Sequence, residues 1–171
     1  MQRVIAVSDS HGALSNLREV IRLASGKGKI DTFVFLGDGL SDFEEAKSDL
    51  LYHSPQARLI TVRGNNDFGS DAPMLDTFSV YGRIFMATHG HTYRVKYSLD
   101  RLSYAARELN ATIALYGHTH LSRMEEAYGI WMINPGAVCN ASSARSAYAE
   151  ILVAEDGTLR QNLVRWSGEP F

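Results

Sequence analysis

The amino-acid sequence predicts an α/β fold in which βαβ units build a parallel sheet and later hairpins add a second sheet packed against it. Three observations carry this. Apolar runs of strand length alternate with helical patterns through roughly the first third of the chain. Tyr-Gly and Asp-Gly turn signals dominate the rest of the chain. Five of the apolar runs stop at short glycine-containing loops, and those loops hold every histidine of the chain except His53.

The first strand is Arg3 to Val7, ending at Ser8-Asp9-Ser10-His11-Gly12. A helix comes next, because Leu14, Leu17, Ile21 and Ala24 recur at spacings of three and four, and Ser25-Gly26-Lys27-Gly28 stops it. Thr32 to Leu36 is the second buried strand, ending at Gly37-Asp38-Gly39. Ser41 and Glu44 then match a capping box for a helix whose apolar positions are Phe43, Ala46, Leu50 and Leu51. Arg58 to Val62 forms the third strand and leads into Gly64-Asn65-Asn66-Asp67. Strands Thr77 to Val80 and Arg83 to Thr88 flank a hairpin turn at Tyr81-Gly82, and the second ends at His89-Gly90-His91. Leu99, Leu102, Ala106 and Leu109 mark a third helix with Ser98 as its expected N-cap. The run Ala111 to Tyr116 enters Gly117-His118-Thr119-His120, and the remainder is strand-like with turns at Tyr128-Gly129 and Asp156-Gly157.

The 171 residues suit one domain spanning 1–171, with enough chain for a sizeable core. A net charge of −2 gives no basic field for holding nucleic acid, so no stable nucleic-acid complex is expected. The single cysteine, Cys139, allows no internal disulfide and reads as a small buried thiol. No segment has the length of a membrane span, and the N-terminal apolar run is too short for a signal peptide. The expectation is a soluble cytoplasmic protein without a membrane partner.

The strand-end loops present Asp9 and His11, then Asp38, then Asn65, then His89 and His91, then His118 and His120. Open α/β sheets gather their ligands at strand carboxyl ends, so these loops are expected to meet. Mixed imidazole, carboxylate and amide donors suit manganese, iron, zinc, nickel or cobalt better than an all-oxygen calcium or magnesium cage. Asp38, alone between glycines, is the natural bridging carboxylate for two ions. Such a pair lowers the pKa of a shared water and clamps a phosphoryl group. No phosphate-binding Gly-x-x-x-x-Gly-Lys-[Ser/Thr] loop and no Gly-x-Ser-x-Gly nucleophile turn occurs.

In order and spacing, Asp9-Ser10-His11, Gly37-Asp38, Gly64-Asn65-Asn66-Asp67, His89-Gly90-His91 and Gly117-His118-Thr119-His120 resemble the calcineurin-like metallophosphoesterases. The short length, His-Gly-His and Ile133-Asn134-Pro135-Gly136 are most similar to the small YfcE-type branch of prokaryotic phosphodiesterases. The retromer scaffold subunit shares this resemblance.

The resemblance implies a four-layer α/β/β/α sandwich of two mixed sheets flanked by helices, with the metal site at the strand carboxyl ends. It implies two divalent metal ions per chain, manganese foremost, with nickel, iron, zinc, cobalt or magnesium as alternatives. One ion takes Asp9, His11, Asp38 and His120, and the other takes Asp38, Asn65, His89 and His118. The implied activity is hydrolysis of a small or nucleotide-like phosphodiester by in-line attack of a metal-bridging hydroxide. A phosphomonoesterase and a catalytically weak metal-binding interaction scaffold are the alternatives, and a homodimer or higher assembly fits the family.

The family's usual Gly-Asn-His-Asp/Glu block has Asn66 at its histidine position here. An amide holds a phosphate oxygen but cannot act as a general acid. His91 is read two ways, as the compensating acid that also binds substrate, or as a rim histidine. Asp67 is expected to orient the Asn65 loop. Arg94 and Arg63 are candidates for the substrate phosphate, set against ordinary surface ion pairs. Tyr93, Tyr97 and Tyr104 read as half-buried aromatics or a subunit contact, with a base-stacking platform as the sharper alternative.

Overall fold

Gln2–Val7 (β1) is the strand on which the first sheet is ordered: apart from Gln2, every position is buried. The structure is a computed structural model that describes residues 1–140, 142 and 145–170. After β1 come Leu14–Gly26 (α1), Thr32–Phe35 (β2), Leu40–His53 (α2), Arg58–Thr61 (β3), Leu75–Val80 (β4) and Arg83–Thr88 (β5). The second half holds Asp100–Glu108 (α3), Ile113–Leu115 (β6), Arg123–Ala127 (β7), Ile130–Asn134 (β8), Ser146–Val153 (β9) and Leu159–Arg165 (β10).

The strands form two five-stranded mixed sheets, ordered β10-β9-β1-β2-β3 and β4-β5-β6-β8-β7. In the first, β1, β2 and β3 run parallel, as the βαβ pattern requires, with Val4 opposite Thr32 and Phe33 opposite Leu59. In the second, β5, β6 and β8 are parallel, and β4 and β7 are antiparallel edges. The late strands are divided between the sheets, because β9 returns to pair antiparallel with β1.

Side-chain alternation along the strands generates the layers. Val4, Ala6, Val34, Phe85, Ala87, Ile113 and Leu115 meet in the core between the sheets. Ile5, Val7, Phe33 and Phe35 face the other way, onto Leu17, Ile21, Phe43 and Leu50 of α1 and α2. Met86, Ala114 and Met132 face Leu102 and Ala106 of α3. Helices thus cover the outer face of each sheet, giving the expected α/β/β/α sandwich. No helix among the described residues is long and apolar enough to cross a membrane.

Both Tyr-Gly turns have the expected geometry, with positive φ at Tyr81, Gly82, Tyr128 and Gly129. Two helix starts differ from expectation. Ser41 does not cap α2. Gly39 stands at the N-cap, and the Gly39 and Leu40 amides donate to Oδ1 of Asp67 instead, at 2.8 and 2.9 Å. Leu99, not Ser98, stands at the N-cap of α3, without a side-chain cap bond. Cys139 is half-buried rather than buried.

Candidate metal centre

The ends of β1, β2, β3, β5 and β6 converge at one rim, where the two sheets meet. Two groups of metal-type ligands form there, Asp9 with His11 and His120, and Asp38 with His89 and His118. Within each group the donor atoms all lie within 4.8 Å of one another. Each group takes residues from both sheets. Asp9, His11 and Asp38 come after β1 and β2, whereas His89, His118 and His120 come after β5 and β6.

The backbone makes tight demands at this rim. Asp9, His11, Asp38, His118 and His120 all have positive φ, between 44° and 67°. Non-glycine residues reach this region at a cost of about 1 kcal/mol or more each. Surrounding contacts hold them there. Ser8 Oγ and the His118 amide donate to Oδ2 of Asp9 at 2.5 and 3.0 Å. The buried Asn134 donates through Nδ2 to the Gly117 carbonyl and to Thr119 Oγ1, at 2.9 and 3.0 Å, fixing the His118-Thr119-His120 loop. Gly117 is obligatory, because a Cβ there would collide with Ser8 Oγ and the Asp9 carboxylate.

Carboxylates below the rim organise the loops. Asp67 accepts the amides of Asp38 and Gly64 on Oδ2, both at 2.7 Å, besides those of Gly39 and Leu40 on Oδ1. It therefore ties the β2 loop, the start of α2 and the β3 loop together, as its expected orienting role requires. Asp42, on the first turn of α2, accepts Ser10 Oγ at 2.5 Å and the Gly12 amide at 2.8 Å. Asp42, Ser8 and the part Asn134 plays are not among the residues the sequence singles out. No local pattern marks them, since Asp42 acts on residues about 30 positions away.

The donor set itself asks for cations. His89 is fully buried and donates from Nδ1 to the Leu36 carbonyl at 2.7 Å, leaving Nε2 to face Asp38 Oδ2 at 3.4 Å and Asp9 Oδ1 at 3.9 Å. Neither His89 Nε2 nor Asp9 Oδ1 has a hydrogen-bond partner among the described residues. His11 and His120 bring their Nε2 atoms to 3.1 Å. Unpartnered buried acceptors facing one another are destabilising unless a proton or a metal ion lies between them. The residues present therefore fit divalent metal ions.

The electrostatics agree. Burial alone would raise the Asp9 carboxyl, but His120, the charge of His89 and the Ser8 hydroxyl outweigh it and hold it below the usual range. Asp38 is likewise opposed by burial, yet His89 and the Asn66 amides hold it well below the usual range. Burial and the charges of His89 and Lys96 pull His118 down to about 4, so it is a neutral ligand at neutral pH. Burial lowers His89, but the Asp38 and Asp9 carboxylates more than reverse this and raise it.

Asn66 reaches Asp38 twice, from its backbone N to Oδ1 at 2.8 Å and from Nδ2 to Oδ2 at 2.7 Å. Asn65 beside it is exposed. His91 opens a short 3-10 turn, His91–Tyr93, with its ring 5.4 Å from that of His89 and 6.1 Å from that of His118. Burial and the charge of His89 lower its pKa. Arg94 ends that turn in the left-handed region, with φ 55°. Arg63 is half-buried and donates to the Ser70 carbonyl at 3.2 Å. His53 is exposed, as expected.

A sandwich of this topology, with two groups of carboxylate and imidazole donors at the sheet seam, defines a metallophosphoesterase-type protein. The chain belongs to the calcineurin-like phosphoesterase superfamily, whose domain profile matches residues 2–157. It is 31% identical over 153 residues to the probable metallophosphoesterase YsnB of Bacillus subtilis, covering 90% of this chain and 85% of that one. It is 29% identical over 156 residues to phosphodiesterase YfcE of Escherichia coli, covering 81% of this chain and 80% of that one. Vacuolar protein sorting-associated protein 29 of Schizosaccharomyces pombe is 30% identical over 145 residues, covering 81% and 73%. A crystal structure from Streptococcus pneumoniae, described as a predicted phosphoesterase, superposes with a TM-score of 0.77 at 27% identity, covering 99% of this chain and 92% of that one. These relatives support the YfcE-type branch of the superfamily.

Proposed function

We propose that this chain hydrolyses small or nucleotide-like phosphodiesters with two divalent metal ions, manganese foremost. One observation carries the dinuclear reading. Asp38 Oδ2 lies 3.6 Å from His11 Nε2 in one ligand group and 3.4 Å from His89 Nε2 in the other, the position of a bridging carboxylate. Asp9, His11, Asp38 and His120 would hold one ion, and Asp38, Asn65, His89 and His118 the other. Bound there, the ions supply an activated water and neutralise charge on the phosphoryl group.

The chain's own residues do the rest. Leu36 fixes the His89 tautomer through Nδ1, which directs the Nε2 lone pair into the site. Asn66 offers amide hydrogens to a phosphate oxygen but has no proton to give a leaving group. His91 is the group on this rim that can carry a proton toward the leaving oxygen, and Arg94 meets the substrate's negative charge. A small phosphoester as partner, a homodimer or larger assembly and a cytoplasmic location belong to the same reading.

The test is hydrolysis of a bis-aryl phosphate against its mono-aryl counterpart, with each divalent metal in turn and the bound metal counted. Faster turnover of the diester at two ions per chain is the expected result. The reverse preference selects a phosphomonoesterase. Asn66 at the usual histidine position, together with the likeness to protein 29, favours the scaffold as the second reading. Fully metallated protein that turns over neither ester would overturn the hydrolase reading, and a site left empty after purification with added metal would favour the scaffold.

A further inference from the structure

Beyond His91 the chain enters a short basic and aromatic segment that belongs to neither ligand group. Residues 93–101 hold Arg94, Lys96 and Arg101 against the single acid Asp100, in a chain whose net charge is −2. Tyr93, Arg94, Tyr97, Ser98 and Arg101 line a depression of about 570 Å³. That volume suits a nucleotide-sized group. No carboxylate lines it.

Three features bear on what this depression can hold. The guanidinium groups of Arg94 and Arg101, like those of Arg58, Arg63, Arg83 and Arg107, have no ion-pair partner among the described residues, and these two line one depression. Unpaired guanidinium groups converging on one pocket are suited to a phosphate. Tyr97 is 89% exposed beside them, an aromatic surface that stacks on a base or an arginine plane. The depression also begins close in the chain to the metal rim, because the Arg94 amide donates to the His91 carbonyl at 3.2 Å within one turn.

We propose that this depression is a subsite for the terminal phosphate and base of a nucleotide substrate whose phosphodiester lies at the metal ligands. The substrate class is then a short 5′-phosphorylated oligonucleotide rather than a neutral-ended diester. Arg94 and Arg101 bind the terminal phosphate, and Tyr97 stacks on the adjoining base. The inference rests on the phosphodiesterase reading for the scissile bond, but not for the binding itself.

The test compares 5′-phosphorylated thymidine dinucleotide with its 5′-hydroxyl counterpart on the manganese-loaded protein. A charge-assisted pair of hydrogen bonds predicts a preference of about tenfold in kcat/KM for the phosphorylated form. Arg101→Ala and Tyr97→Ala, both at exposed positions, bring that ratio toward one. Equal use of the two dinucleotides by the wild type, or a preference that survives both substitutions, overturns the subsite. Calorimetry on the metal-free protein separates this from the hydrolase reading. If no diester is cleaved, yet the phosphorylated dinucleotide binds about tenfold more weakly to Arg101→Ala, the subsite stands and the hydrolase reading falls. Affinity unchanged by Arg101→Ala overturns the subsite. So does inorganic phosphate binding as tightly as the dinucleotide, since the pocket would then serve free phosphate.

Discussion

Asp67 shows how much of this site depends on one side chain outside both ligand groups. Its two oxygens accept four backbone amides, from Asp38, Gly39, Leu40 and Gly64. Hydrogen bonds to a charged acceptor are each worth about 1.5–3 kcal/mol, although neighbouring bonds on one group do not add fully. Asp67→Ala is therefore expected to destabilise the fold by about 3 kcal/mol and to weaken metal binding, as read by denaturant titration and metal analysis. Asp67→Asn keeps one acceptor oxygen and is expected to lose about half as much; equal stability of both variants with the wild type would remove Asp67 from this role. The candidate ligands themselves were legible in the sequence, because each lies in a short glycine-containing loop just beyond an apolar run. The carboxylates that hold them were not. Asp67 sits 28 residues from Gly39 and Asp42 sits 32 from Ser10, and no pattern within one element reports a bond across that separation. Asp38 makes the complementary case at the centre itself. Asp38→Asn removes the charge that both ligand groups face, so it is expected to lower metal occupancy and phosphodiester turnover together.

Element boundaries show where local pattern suffices and where packing decides. The strand and helix cores match the periodicity of their apolar residues, and both Tyr-Gly turns form as their sequences require. The capping box at Ser41 fails because α2 already begins at Leu40, with Gly39 at its N-cap and Asp67 accepting the Gly39 and Leu40 amides from the β3 loop. Glycines divide in the same way. Gly26 ends α1 with open space around it, whereas Gly117 stands beyond the run of β6 against Ser8 and Asp9. Gly26→Ala is expected to raise stability by a few tenths to about 1 kcal/mol, since alanine restricts the unfolded chain and meets nothing in the fold. Gly117→Ala is expected to do the reverse. Its methyl group pushes the Asp9 carboxylate out of line, so metal retention falls even where the chain still folds. Melting curves and metal stoichiometry on the two variants check the contrast, and loss of metal from Gly26→Ala, or full retention by Gly117→Ala, contradicts it.

At the scale of the molecule, the candidate centre joins the two sheets where their strands end. Each ligand group combines first-sheet residues with second-sheet residues, Asp9 and His11 with His120, and Asp38 with His89 and His118. Between the sheets the core is apolar, while at the rim the buried Asp9 and His89 leave acceptor atoms without a hydrogen-bond partner among the described residues. An ion bound in either group therefore ties one sheet to the other and relieves that unpaired polarity. Binding to the folded chain alone adds about 2.7 kcal/mol per site at a free metal concentration of one hundred times the dissociation constant. For a chain of this length each kcal/mol moves the melting temperature by about 2–4 °C. Chelation is thus expected to lower the melting temperature by about 5–10 °C for each ion removed, with restoration on adding manganese. Single substitutions refine the expectation. His120→Ala and His118→Ala each empty one group, so each is expected to remove about half of the metal-dependent shift. An equal melting temperature with and without chelator would mean that the ions do not hold the sheets together. A full shift retained by both variants would instead place the stabilising ion outside these two groups.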